Sequence, residues 1–265
     1  MALSYELILR SRPIVFVVGP GETEYTVHAE SISRLSKALR VLIDGKMKEA
    51  TDGRVVWEDV DEQTFVRFTQ WAYTNDYDDA SPDILLDASS IQTQPQSANS
   101  ISVEPEGGLY RIEDKAEKAS SATKSSAMSK AFCEGENWVM GSTTFKPRPN
   151  KEACEDYTKV FFCHTNLYIL ADKYDITKLG QLSMHKLHST LKAFMLYPSR
   201  MGDILSLVEL VFNNTLAEDE LRTMLVLYCT CIVENLAKCE EFQLLLQGCP
   251  EFTSALVAKM IERLD

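Results

Sequence analysis

No stretch of about 18 consecutive apolar residues occurs in the sequence, so a membrane-crossing helix is not expected. Residues 1–10 lack the basic start and long apolar run of a secretory signal, and the expected location is cytoplasmic, nuclear or both. Lysine and arginine number 27 against 39 acidic residues and cluster nowhere; with a net charge of -12, no nucleic acid and no membrane surface is expected as a partner. The seven cysteines are an odd set without a secretory context, which favours reduced thiols over a disulfide framework. Neither Cys163 with His164 nor Cys229, Cys231 and Cys239 has the CxxC or HxxxH spacing of a structural zinc clip. Gly19-Pro20-Gly21 lacks the further glycine and the Lys-Ser/Thr pair of a phosphate loop. His185 and His188 stand three apart without an acidic residue at ligand spacing, and no nucleophile elbow or paired-carboxylate motif is present. No catalytic residue, metal or cofactor site is therefore assigned, and a non-enzymatic protein is expected.

What is present is a folding pattern in two pieces. Apolar residues make up 45% of the chain, ample for a core. Ile14–Val18 is a β-branched and aromatic run closed by Gly19-Pro20-Gly21, and Glu24–His28 alternates polar with apolar, which together predict a hairpin. Ile32, Leu35, Leu39, Leu42 and Ile43 recur at helical spacing and predict one helix over 31–43, stopped by Gly45. Val55-Val56-Trp57 reads as a third strand, and Asp61 as the cap of a helix through Phe65, Phe68, Trp71 and Ala72. Far downstream, Leu167, Leu170, Ala171 and Tyr174 share a helical face; Asp175-Ile176 breaks it, and Leu179, Leu182 and Met184 begin another helix.

These residues carry a family resemblance. Tyr25, Val27-His28, Ile32 and Ser36, followed by Val60-Asp61, Phe65, Phe68, Tyr73-Thr74 and Tyr77, resemble in order the pattern of the BTB/POZ family. The segment Asn166–Leu179 resembles that family's helix-turn-helix signature at nearly every position. The resemblance implies an α+β BTB/POZ fold, a small β-sheet with a helical cluster, of the stand-alone type found in fungi. Its first half would span 12–77 and its second 157–191, parted by a polar insertion over 78–156 and followed by a helical extension over 192–265.

About eighty residues thus intervene where a short loop is usual. Residues 88–102 and 118–130 are rich in Ser, Thr, Gln and Lys, a composition too poor in apolar surface to offset chain ordering, so most of 78–156 is expected to be disordered. Phe132, Trp138, Val139, Met140 and Phe145 stand out in it. They read as a loop lying on its own domain, as a docking motif built on Trp138 and Phe145, or as a phospho-regulated tether with Ser120, Ser121, Ser125 and Ser126 as candidate sites. In the extension, Ile204, Leu207, Val208, Val211 and Phe212 form one face. Thr215–Glu218 has capping-box spacing ahead of a helix through Leu221, Leu225, Tyr228, Ile232 and Leu236; Phe252, Leu256, Met260 and Leu264 follow Pro250 on a last helix.

The family works by joining proteins, and the resemblance implies protein partners only. Members serving cullin-based ubiquitin ligases carry an apolar-x-Glu motif that falls on Met47-Lys48-Glu49; Met47, Glu49, Tyr73 and Tyr77 are the expected cullin contacts. A homodimer would use the helix bearing Leu35 and Leu39. Pro13 and Ala29 stand where repressor-type members carry charged residues, which points away from a corepressor groove. The two implied roles are a cullin adaptor and a scaffold or dimerisation protein with no ligase link.

Overall fold

A computed structural model describes residues 5–45, 51–85, 111–112, 124–135, 138 and 145–264. It is a mixed α+β chain whose backbone contacts fall into two compact units. One comprises the chain up to Ala80 together with Cys163–Met184; the other comprises Ser81–Phe162 together with the chain from His185 onward.

The first unit begins with α1 (Tyr5–Arg10), β1 (Pro13–Val18) and β2 (Thr23–His28). The two strands pair antiparallel with Ile14 opposite Val27 and Phe16 opposite Tyr25. Their turn holds Gly19 at φ 70°, a left-handed backbone that glycine adopts without a Cβ clash. β3 (Arg54–Trp57) joins the other side of β1 in parallel, giving the order β2-β1-β3. A parallel partner requires a crossover, and α2 (Ala29–Ser33) with α3 (Lys37–Asp44) lies in the intervening chain.

The single helix predicted over 31–43 is therefore two. Ser36 leaves the helical region at φ -154° and its side chain accepts the Leu39 N–H at 3.1 Å, so a serine embedded in an apolar stripe starts a new helix. Asp61 caps α4 (Glu62–Thr74) as its position predicts, accepting the Thr64 N–H at 2.9 Å. Strand alternation sends Val55 and Trp57 inward and leaves Val56 exposed.

Trp57 is the centre of this unit. Its ring lies 5.0 Å from Phe16, 5.9 Å from Phe65 and 5.7 Å from Phe68, and it stacks on Tyr174 at 4.8 Å with 23° between the planes. Tyr174 lies just past α6 (Thr158–Lys173), where Asp175 at φ 54° turns the chain into α7 (Thr177–Ala193). Leu167, Leu170, Ala171, Ile176 and Leu179 are buried there, so residues separated by the long insertion pack in one core.

The second unit carries a two-residue antiparallel pairing of β4 (Asp83–Ile84) with β5 (Glu155–Asp156) and the helix α5 (Lys124–Glu134). A 3-10 turn (Pro198–Arg200) leads to α8 (Met201–Asn214), followed by α9 (Glu220–Cys231), α10 (Val233–Leu236), α11 (Glu240–Gly248) and α12 (Pro250–Leu264). Thr215 does not open α9. Its hydroxyl donates to Val211 O at the end of α8, and Asp219 caps α9 by accepting the Leu221 N–H at 2.7 Å. The helix predicted to run through Leu236 also breaks, at Ile232.

Within the segment expected as a disordered insertion, the described residues of 124–138 and 145–156 are structured. Phe132 and Ser129 are fully buried, and Asn150 Nδ2 donates to Met195 O while its Oδ1 accepts the Met195 N–H.

Candidate interaction surfaces

Met47 and Glu49, the expected cullin contacts, lie outside the described residues. Tyr73, grouped with them, is half-buried near the end of α4. Its hydroxyl accepts the His28 N–H at 3.1 Å and lies 2.9 Å from His28 Nδ1, while its carbonyl accepts the Tyr5 hydroxyl at 2.7 Å. His28 thus ties the end of β2 to α4.

Tyr77 does not face outward. It is 2% exposed; its hydroxyl sits 2.9 Å from His164 Nδ1 and donates to Ser183 Oγ at 3.4 Å. Burial pushes that hydroxyl well above the ordinary tyrosine range. His164 Nε2 lies 3.9 Å from Asp79 Oδ1. Asp79, His164 and a hydroxyl in sequence resemble a proton relay, yet His164, Tyr77 and Ser183 are all buried. Their contacts join the end of α4 to α6 and α7 and describe a structural clamp.

Leu39 is likewise buried in the core rather than presented on a dimer face, and Leu35, half-buried, stands in the turn between α2 and α3. The apolar side chains that do reach solvent on this unit are others. Tyr5 and Leu9 on α1 are 60% and 62% exposed, and Leu7, Val41, Val56 and Val66 are exposed as well. In α1 only Ile8 is buried, so this helix keeps most of its apolar surface outward.

The second unit places Trp138 and Phe145, the expected docking motif, against its own helices. Gly135 follows α5 and lets Trp138 fold back on the chain; a Cβ at Gly135 would approach the indole to 2.8 Å. Trp138 is 8% exposed and lies 6.0 Å from Phe132 and 5.5 Å from His188. Phe132 meets His188 at 4.7 Å and Tyr228 at 5.2 Å. Phe145 is half-buried, with the Lys186 ammonium 4.8 Å from its ring. Burial holds His188 down at about 4 and lowers His185 as well, so both imidazoles are neutral near pH 7. They are packing residues that also hydrogen-bond to the backbone carbonyls of Trp138 and Phe132.

A groove of about 780 Å³ runs between α9 and α12, lined by Phe212, Arg222, Val226, Glu251, Ala255 and Lys259. The Arg222 guanidinium there is already committed to Phe212 O, Thr215 and Glu251. It closes the end of α8 and leaves little charge for a ligand.

Among the described residues, no group of three or more His, Cys, Asp and Glu side chains is arranged to hold a metal ion, and no helix is long and apolar enough to cross a membrane. Compared with known proteins, the chain matches no family model and no curated protein sequence.

Proposed function

We propose that this chain is a non-enzymatic protein–protein interaction module of the BTB/POZ type, acting as an adaptor that recruits partners to a cullin-based ubiquitin ligase. One observation carries the BTB/POZ part of the reading: the two stretches bearing the family-like pattern, separated in sequence by the insertion, belong to one unit in which Trp57 stacks on Tyr174. The Asp61 cap and the left-handed turn at Asp175 fall on motif positions, and the small mixed sheet agrees with an α+β reading. Met47 and Glu49 are the residues assigned to the scaffold contact, together with Tyr73; Tyr77 serves the core instead.

A second reading is favoured by the outward apolar side chains of Tyr5, Leu7, Leu9 and Val41: self-association as a scaffold with no ligase link. The discriminating experiment is titration of the purified chain with the N-terminal region of a cullin, using wild type and Glu49→Lys and checking both by circular dichroism. Saturable binding lost in the folded variant supports the adaptor. No binding by either, with a dimer by light scattering, supports the scaffold.

A further inference from the structure

We propose that the helical unit contains a receptor site for one short amphipathic helix, that α5 fills it in cis, and that a partner presenting a helix of the same chemistry enters by displacing α5. The site is built from α9 and α7. Tyr228 and His188 form an aromatic seat in which Phe132 has no exposed surface. Ser129, one turn earlier and also fully buried, is small enough to let the helix backbone approach α9 and α12, on which α5 packs.

The end of α5 is held as a ligand is held. The last carbonyls of a helix have no partner within it. Here Phe132 O accepts from His188 Nε2 at 2.7 Å and Cys133 O accepts from Lys192 Nζ at 3.1 Å. Just beyond, Trp138 O accepts from His185 Nδ1 at 3.3 Å. The three donors recur at helical spacing on α7, and the Lys192 ammonium suits the negative end of a helix dipole. The socket therefore reads backbone carbonyls, the Phe132 ring within the helix and the Trp138 ring just beyond it. A trans ligand needs a small residue, then an aromatic three positions later, then a helix end.

Resident and socket are unequally matched. Of the α5 side chains from Ala127 to Glu134, only Ser129 and Phe132 are buried, and Ala127, Lys130, Ala131 and Glu134 are exposed. Eleven residues make a helix that is marginal by itself, so covalent attachment and the resulting high local concentration hold it in place. A trans helix burying more apolar surface would replace it. The α5 site belongs to the helical unit alone and does not depend on whether the first unit binds a cullin.

The test titrates a fluorescent peptide of residues 124–138 into full-length wild type and full-length Phe132→Ala/Trp138→Ala, followed by anisotropy. The double variant should bind at least tenfold more tightly than wild type, because its own α5 competes poorly; a peptide carrying Phe132→Ala should not bind. Equal weak binding by both chains, with helicity retained, would overturn the proposal. Hydrogen exchange of the wild type tests it without substitution. The amides of α5 should open at least a hundredfold more often than those of α9, whereas exchange of the two helices in step would show α5 to be part of the permanent core.

Discussion

Replacing Trp57 should loosen a helix more than a hundred residues away in sequence. Trp57 is nearly fully buried and touches Phe16, Phe65, Phe68 and Tyr174, so Trp57→Ala removes a large aromatic from a closed core at a cost of about 3–5 kcal/mol. Tyr174 is half-buried, so Tyr174→Ala should cost less, about 1–2 kcal/mol. The stacked pair adds about 0.5–1.5 kcal/mol beyond area burial, and this is the coupling a double-mutant cycle should return. Hydrogen-exchange mass spectrometry is the fitting assay, since a two-unit chain need not unfold in one step. A loss of about 3 kcal/mol corresponds to more than a hundredfold faster opening, and it should appear in peptides from 163–173 as well as 54–74. Unchanged exchange in 163–173, or a coupling below about 0.3 kcal/mol, would refute the joining of the two stretches into one cooperative unit.

Two buried groups in the helical unit should give opposite pH dependence. His188, lowered from 6.5 to about 4 by burial, lends stability that is full above pH 6.5 and lost as the pH falls toward 4, about 3 kcal/mol in all. Asp203, raised from 3.8 to about 6 mainly by burial, with Asp156 adding to the rise and the Tyr157 N–H and Arg200 opposing it, lends stability that is full below pH 3.8 and lost as the pH rises through 6. Asp203→Asn should therefore make denaturation between pH 6.5 and 4.5 steeper than in wild type, and His188→Gln should make it shallower; identical slopes in the three chains would contradict these environments. Arg222→Met leaves the buried carbonyl of Phe212 without its donor and should cost about 2–4 kcal/mol, read as at least about thirtyfold faster hydrogen exchange in α8 and α9. Asp61→Ala removes the acceptor for both the Thr64 N–H and its hydroxyl and should cost about 1 kcal/mol, with Asp61→Asn losing less.

The parts of the fold legible in the sequence were those fixed locally. Alternation through Glu24–His28, the glycine turn before it, and the caps and breaks at Asp61 and Asp175 are each decided within a few residues. Ser36 and Thr215 were harder because a hydroxyl serves either end of a helix: Ser36 opens α3 inside an apolar stripe, and Thr215 closes α8 where its spacing to Glu218 suggested an opening. Site residues depended on distant partners. Tyr77 is turned inward by His164, 87 residues further on, and Trp138 by His188 and Tyr228 through Phe132. An aromatic residue in a polar stretch has the same sequence signature whether it seats in its own chain or in another. Lys192 gave no signal at all, since its role is to meet a carbonyl of a helix assembled from elsewhere.

The most direct measurement is affinity purification from native lysate with mass spectrometry, comparing wild type with Glu49→Lys after both are shown to fold. The adaptor reading predicts a cullin recovered with wild type and lost with the variant, while proteins held by the helical unit stay bound in both. Recovery of no cullin with either chain would contradict it and leave self-association as the function to pursue.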